Sequence, residues 1–145
     1  MSKADSAEAV LTKGFNCSQA VVSTFAEEFG LDRTMAYRVA AAFGGGIGHL
    51  GEACGAVTGA VIVIGLKYGM TELDGVQSNK EAYKKVQQLV EQFRSRDGSH
   101  LCRELLGFDI DDRQARKEAF KKGIPQKVCT KAVRDAVEIV EDLIK

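Results

Sequence analysis

The chain has 145 residues, 45% of them hydrophobic, and its 20 Lys and Arg are matched by 20 Asp and Glu. That length suits one domain burying roughly 70% of its unfolded surface, and the charge balance argues against a polyanion-binding surface, so nucleic acid is not an expected partner. The N-terminal "MSKADSAEAVLTKG" lacks the apolar centre of a signal peptide, and the 14 residues between Glu52 and Lys67 fall short of a membrane span, which needs about 20. The expectation is a single cytoplasmic domain, 1–145, without membrane insertion. In that reducing setting the four cysteines read as thiols, metal ligands or redox groups before static disulfides.

Nearly every segment has helical character. Ala4–Lys13 reads as a helix closed by Gly14. Asn16 and Gln19 form a capping box for a helix over Cys17–Phe29, with Val21, Val22, Phe25 and Phe29 on one side. Asp32 caps Arg33–Phe43, and glycines end it. Glu52–Tyr68 is apolar on most sides and stops at Gly69. In "SNKEAYKKVQQLVEQFRSRDG", Tyr83, Val86, Leu89, Val90 and Phe93 fall at helical spacing. Ser99 caps a short helix through Leu106, Asp111–Lys122 reads as a charged peripheral helix, and Pro125 opens a last helix through Ile144. No period-2 alternation bounded by turns occurs. The predicted fold is an all-α bundle of about six to eight helices.

Cys17, Cys54, Cys102 and Cys129 are 37, 48 and 27 positions apart, so no Cys-x-x-Cys pair exists. Each falls within or just beyond the first turn of a predicted helix. Free N–H groups and the positive end of the helix dipole there favour a thiolate. If the four starts converge, the sulfurs can ligate a metal or cluster, or form exchangeable disulfides. As single positions, buried cysteines also serve as small apolar fillers.

Phe43–Gly65 carries eight of the 15 glycines. "GGGIG" has no following Lys-Ser/Thr and no preceding strand, which argues against a phosphate loop. Gly44–Gly46 read as a flexible break that allows positive φ. Gly51, Gly55 and Gly59 recur every fourth residue and read as a close-packing face around the Cys54 helix start. His49 and His100, five and two residues before cysteines, are secondary candidates as ligands or proton donors.

"NCSQAVVSTFAEEFGL", "FGGGIGHLGEACGAVTGAVIVIGLKYG", "GSHLCRELLGFD" and "VCTKAVRDAVEIVEDL" together resemble the C_GCAxxG_C_C family of redox-active proteins. The match spans almost the whole chain and takes in all four cysteines in order. Its centre here is Cys54-Gly55-Ala56-Val57-Thr58-Gly59, C-G-A-x-x-G, in which the first two letters of the family motif are transposed. The resemblance implies a small redox protein acting through Cys17, Cys54, Cys102 and Cys129. A related domain of split-Soret cytochromes is associated with a non-haem iron or iron–sulfur centre, which extends that expectation to metal. Without C-x-x-C-H, covalent haem is not expected.

Three functions fit these residues. An iron–sulfur or other iron centre on four thiolates would transfer electrons. A dithiol/disulfide exchanger would use one acidic thiol and one resolving thiol, with Cys54 or Cys17 the more reactive. A structural Cys₄ zinc site would give stability alone. The first is preferred, with an unidentified redox partner. The apolar stripes and the small-residue face also suit a homo-oligomer.

Overall fold

The computed structural model describes all residues from Met1 to Lys145, and it is all-α. Eight α-helices follow in order: α1 Lys3–Thr12, α2 Cys17–Phe25, α3 Arg33–Ala40, α4 Gly55–Tyr68, α5 Val76–Asp97, α6 Cys102–Leu106, α7 Arg113–Lys121 and α8 Ile124–Leu143. Short 3₁₀ turns extend α2 through Phe29 and α3 through Phe43.

The caps explain several of these starts. Asn16 accepts from the Gln19 amide while the Gln19 side chain accepts from the Asn16 amide, the reciprocal box expected before α2. Asp32 accepts from the Met35 amide at the head of α3. Asp112 holds the amides of Gln114 and Ala115 at the head of α7. Gly123, at φ 73°, leads into α8, with Pro125 in its first turn.

Helix α4 is the axis of the packing. It lies against α2, α5 and α8, and α1 closes over α2 and α8. Its burial on nearly all sides explains its uniformly apolar sequence. No single helix is long and apolar enough to cross a membrane. Phe25, Val21, Ile64, Val63, Leu89, Phe93, Val137 and Ile139 are essentially without exposure. Each such side chain contributes roughly 1.5–3 kcal/mol by leaving water.

Gly55 and Gly59 set the distance between α2 and α4. A Cβ on Gly59 would stand 3.0 Å from the Ser18 carbonyl oxygen and from the Val21 Cβ. One on Gly55 would stand 3.1 Å from the Cys17 Cβ and the Ser18 amide. The close-packing expectation holds for these two positions. Gly51 differs: it precedes α4 in a turn at φ 72°, packed toward Arg103.

Three further boundaries depart from the sequence reading. Helix α4 starts at Gly55 rather than Glu52, α6 at Cys102 rather than after Ser99, and α5 already at Val76. Tyr83, expected on the buried stripe of α5, is 63% exposed, and Ala82 takes the inward place.

Candidate four-cysteine site

The late starts of α4 and α6 have one cause. Ala53 and Leu101 form an isolated antiparallel bridge. Around it the Cys54 amide donates to the His100 carbonyl at 2.7 Å, and the Cys102 amide donates to the Glu52 carbonyl at 2.7 Å. The Arg103 amide reaches the Gly51 carbonyl at 3.2 Å. Residues 51–54 and 100–103 are therefore paired through their backbones; α4 begins directly after its stretch and α6 within the last residues of the other. This sets Cys54, the N-cap of α4, beside Cys102, the first residue of α6.

The preceding loop is not a loose break. Gly45, Gly46, Ile47, Gly48 and His49 all have positive φ, between 55° and 71°, forming five consecutive left-handed residues. Left-handed backbone costs roughly 1–2 kcal/mol per ordinary L-residue, so three glycines among the five lower the cost of the turn. Gly44 is the exception at φ −61°; its constraint is space, because a Cβ there would meet the Asn16 Nδ2 at 2.8 Å. The turn binds itself together through Gly48 to Ala42, His49 to Gly44, Gly51 to Gly45 and Glu52 to Gly46 amide–carbonyl bonds. Gly46 is the tightest point. A Cβ on it would lie 2.6 Å from the Cys102 Cβ and 2.7 Å from the Glu52 amide nitrogen.

Cys17 opens α2, and Cys129 sits in the second turn of α8. All four cysteines line one cavity of about 290 Å³. Eleven of its 17 lining residues are hydrophobic, among them Leu11, Leu105, Leu106, Ile110 and Val128, so the thiols face a poorly solvated space. Cys54 and Cys102 are buried; Cys17 and Cys129 are half-buried, and none is in a disulfide.

The thiols interact as a set. Cys17 and Cys129 are in direct hydrogen-bond contact, and each of the six pairs is close enough for charge on one sulfur to act on the other. Donation from Cys17 holds the Cys129 thiol below the usual cysteine range, against the opposing effect of burial. The same bond, then burial, drives Cys17 well upward. Burial pushes Cys54 up to about 12, although the Ala56 and Val57 amides oppose it, and no side-chain hydrogen bond caps α4. Burial also lifts Cys102 to about 11. At the starts of α4 and α6 the loss of water around Cys54 and Cys102 outweighs the favourable dipole.

The two histidines separate. His49 lines the cavity at its exposed edge, where its Nδ1 lies 3.3 Å from an Arg116 nitrogen. His100 is not among the lining residues, and its buried Nδ1 has no partner, while its backbone carbonyl serves the Cys54 amide. No group of three His, Cys, Asp or Glu side chains is drawn together tightly enough to hold one metal ion. Asn16, Gly45, Gly46 and Phe120 also line the cavity and were not singled out as site residues from sequence. Asn16 carried a local signal as a cap and Gly45 and Gly46 as part of the glycine run before Cys54; Phe120 reaches the cavity through long-range packing alone.

No curated protein and no solved structure matches this chain. The sequence model of the family described as "Putative redox-active protein (C_GCAxxG_C_C)" matches residues 15–143, which include all four cysteines and the whole cavity apart from Leu11. By that match over nearly its full length, the chain belongs to the C_GCAxxG_C_C family of redox-active proteins.

Proposed function

We propose that this redox-active protein transfers electrons through an iron–sulfur cluster held by Cys17, Cys54, Cys102 and Cys129. The observation that carries this reading is the gathering of four cysteines, from four separate helices or helix caps, around one apolar cavity of about 290 Å³. Four thiolates are the usual ligand set of [2Fe–2S] and [4Fe–4S] clusters, which cycle by one electron when bound.

The chain's own groups suit that role. The apolar lining limits water, and the amides of Ala56 and Val57 favour negative charge on the Cys54 sulfur. The thiols that burial keeps protonated must release protons on ligating metal, which makes loading stronger as pH rises.

A second reading has its own observation. The Cys17–Cys129 contact, with one thiol acidified and the other held protonated, is the arrangement of an attacking and a resolving cysteine. Anaerobic purification with iron, sulfide and zinc analysis, visible absorption spectra and thiol counting separates the two. Iron and sulfide with charge-transfer bands, lost in Cys54→Ser and Cys102→Ser, support the cluster. Metal-free protein in which Cys17 and Cys129 alone oxidise reversibly overturns it in favour of dithiol exchange. Four inert thiols without metal overturn both.

A further inference from the structure

Beside the exposed edge of the thiol cavity, basic residues outnumber acidic ones on helix α7. Overall, 20 basic residues face 20 acidic ones. Helix α7 nevertheless carries Arg113, Arg116, Lys117 and Lys121, and none of them pairs with a carboxylate, although most acids elsewhere on the helices do find partners. Of the four acids nearby, three are engaged locally, and the Asp111 side chain forms no ion pair with these cations. Asp112 caps α7, Asp109 accepts from the Asp111 amide, and Glu118 accepts from Gln114.

Three of these cations, Arg113, Arg116 and Lys117, surround Phe120 in one surface depression. Phe120 is 62% exposed, yet it also lines the cysteine cavity. Arg116 ties this face to the mouth, because its guanidinium lies 3.3 Å from His49 Nδ1 and donates to the Ile110 carbonyl at 3.4 Å. An exposed aromatic ringed by unpaired cations is the composition of a docking face: the ring supplies an apolar anchor and the charges supply steering.

We propose that the α7 face of Arg113, Arg116, Lys117 and Phe120 docks an acidic electron-transfer protein and seats it against the mouth of the thiol cavity. The proposal rests on the redox reading above for its purpose, and on charge and geometry for its place. The partner carries an acidic surface around its own redox group, and Phe120 is the point of closest approach.

The test measures binding of two acidic probes, a flavodoxin and a plant-type [2Fe–2S] ferredoxin, to the full chain, with basic cytochrome c as a counter-probe. Expected is salt-sensitive binding of at least one acidic probe, weakening at least tenfold between low and high ionic strength, and none of cytochrome c. Arg113→Glu with Lys117→Glu lowers affinity at least tenfold. Lys80→Glu with Lys84→Glu on α5, which changes total charge equally, has little effect. Phe120→Ala weakens binding without altering its salt dependence. Failure of both acidic probes to bind, or equal losses in the α7 and α5 double variants, overturns the proposal. Because the readout is association, a protein that proves redox-inert would sink the redox reading while leaving these binding outcomes intact.

Discussion

The α5–α8 side of the molecule and its cysteine end are held by different means. Between α5 and α8, long regular helices enclose Phe93, Leu89 and Ile139 completely, and ion pairs of Arg96 with Asp135 and Glu138 close the outer edge. Around the cysteines, helix packing is joined by devices of another kind. A left-handed turn, a single backbone bridge and glycines with no room for a side chain place the sulfurs. One side derives its stability from buried area, which tolerates moderate repacking. The other depends on backbone paths that only particular residues follow, so small substitutions there should alter thiol chemistry more than global stability.

The largest expected effect breaks the helical side. Phe93→Ala should destabilise the fold by about 3–5 kcal/mol, the usual cost of emptying a buried phenylalanine site, as read by urea unfolding. In the fraction that remains folded, the order of thiol reactivity should be unchanged. A changed order would show that the two regions are not separable.

Gly46→Ala attacks the other side. Its φ of 71° and the 2.6 Å approach to the Cys102 Cβ predict a loss of about 1–3 kcal/mol. The larger consequence should be faster alkylation of Cys54 and Cys102, measured by mass spectrometry under native conditions. A variant as unstable as Phe93→Ala but with protected thiols would contradict the contrast.

Much of the helical framework was legible in the sequence. The Asn16–Gln19 box, the Asp32 cap, the apolar spacing of α5 and the Pro125 entry to α8 are local signals, each contained within a few residues. The cysteine end was legible only in its ingredients. The sequence puts the start of α4 three residues early and that of α6 two, because residues 51–54 and 100–103 pair with each other, and neither stretch alone carries that information. Likewise "GGGIGH" suggested looseness where the chain makes an ordered left-handed turn. A helix start is visible in sequence, but the loss of water around Cys54 and Cys102 is a tertiary fact. Helix α7 read as a solvated charged face, and nothing local revealed that Phe120 reaches the cavity.

A smaller effect sharpens the chemistry within the site. Cys17→Ala removes the hydrogen bond that favours the Cys129 thiolate, so the midpoint of Cys129 alkylation against pH should move upward. Cys17→Ser, which keeps a donor, should retain most of the depression. Equal shifts in both variants would assign the effect to packing rather than to the bond.

The smallest prediction concerns the helical side again. The Asp97 side chain is only 5% exposed, and burial followed by its contact with Asp135 lifts its pKa to about 6, against the pull of Lys131. A carboxyl raised above its unfolded value near 3.8 is held protonated by the fold between those values, so stability falls as pH rises toward 6. Above pH 6 the ionised form carries the full cost. Asp97→Asn should therefore raise stability at pH 7.5, by no more than about 1 kcal/mol, and the gain should shrink as pH falls toward 4. Thermal unfolding across that range checks it; a gain independent of pH would remove the carboxylate from the explanation.

The bridge between Ala53 and Leu101 also has a consequence for biosynthesis. It joins segments separated by nearly 50 residues, and the cavity it helps to form is completed by Cys129 on the last helix, α8. Contacts of such long sequence separation form late, after the intervening chain has been made and collapsed. While the chain is being synthesised, Cys17, Cys54 and Cys102 emerge without their fourth companion, so the complete set of sulfurs exists only once α8 has left the ribosome and docked. Any centre that requires all four is thereby coupled to the end of folding, and its presence would report that the whole bundle has closed.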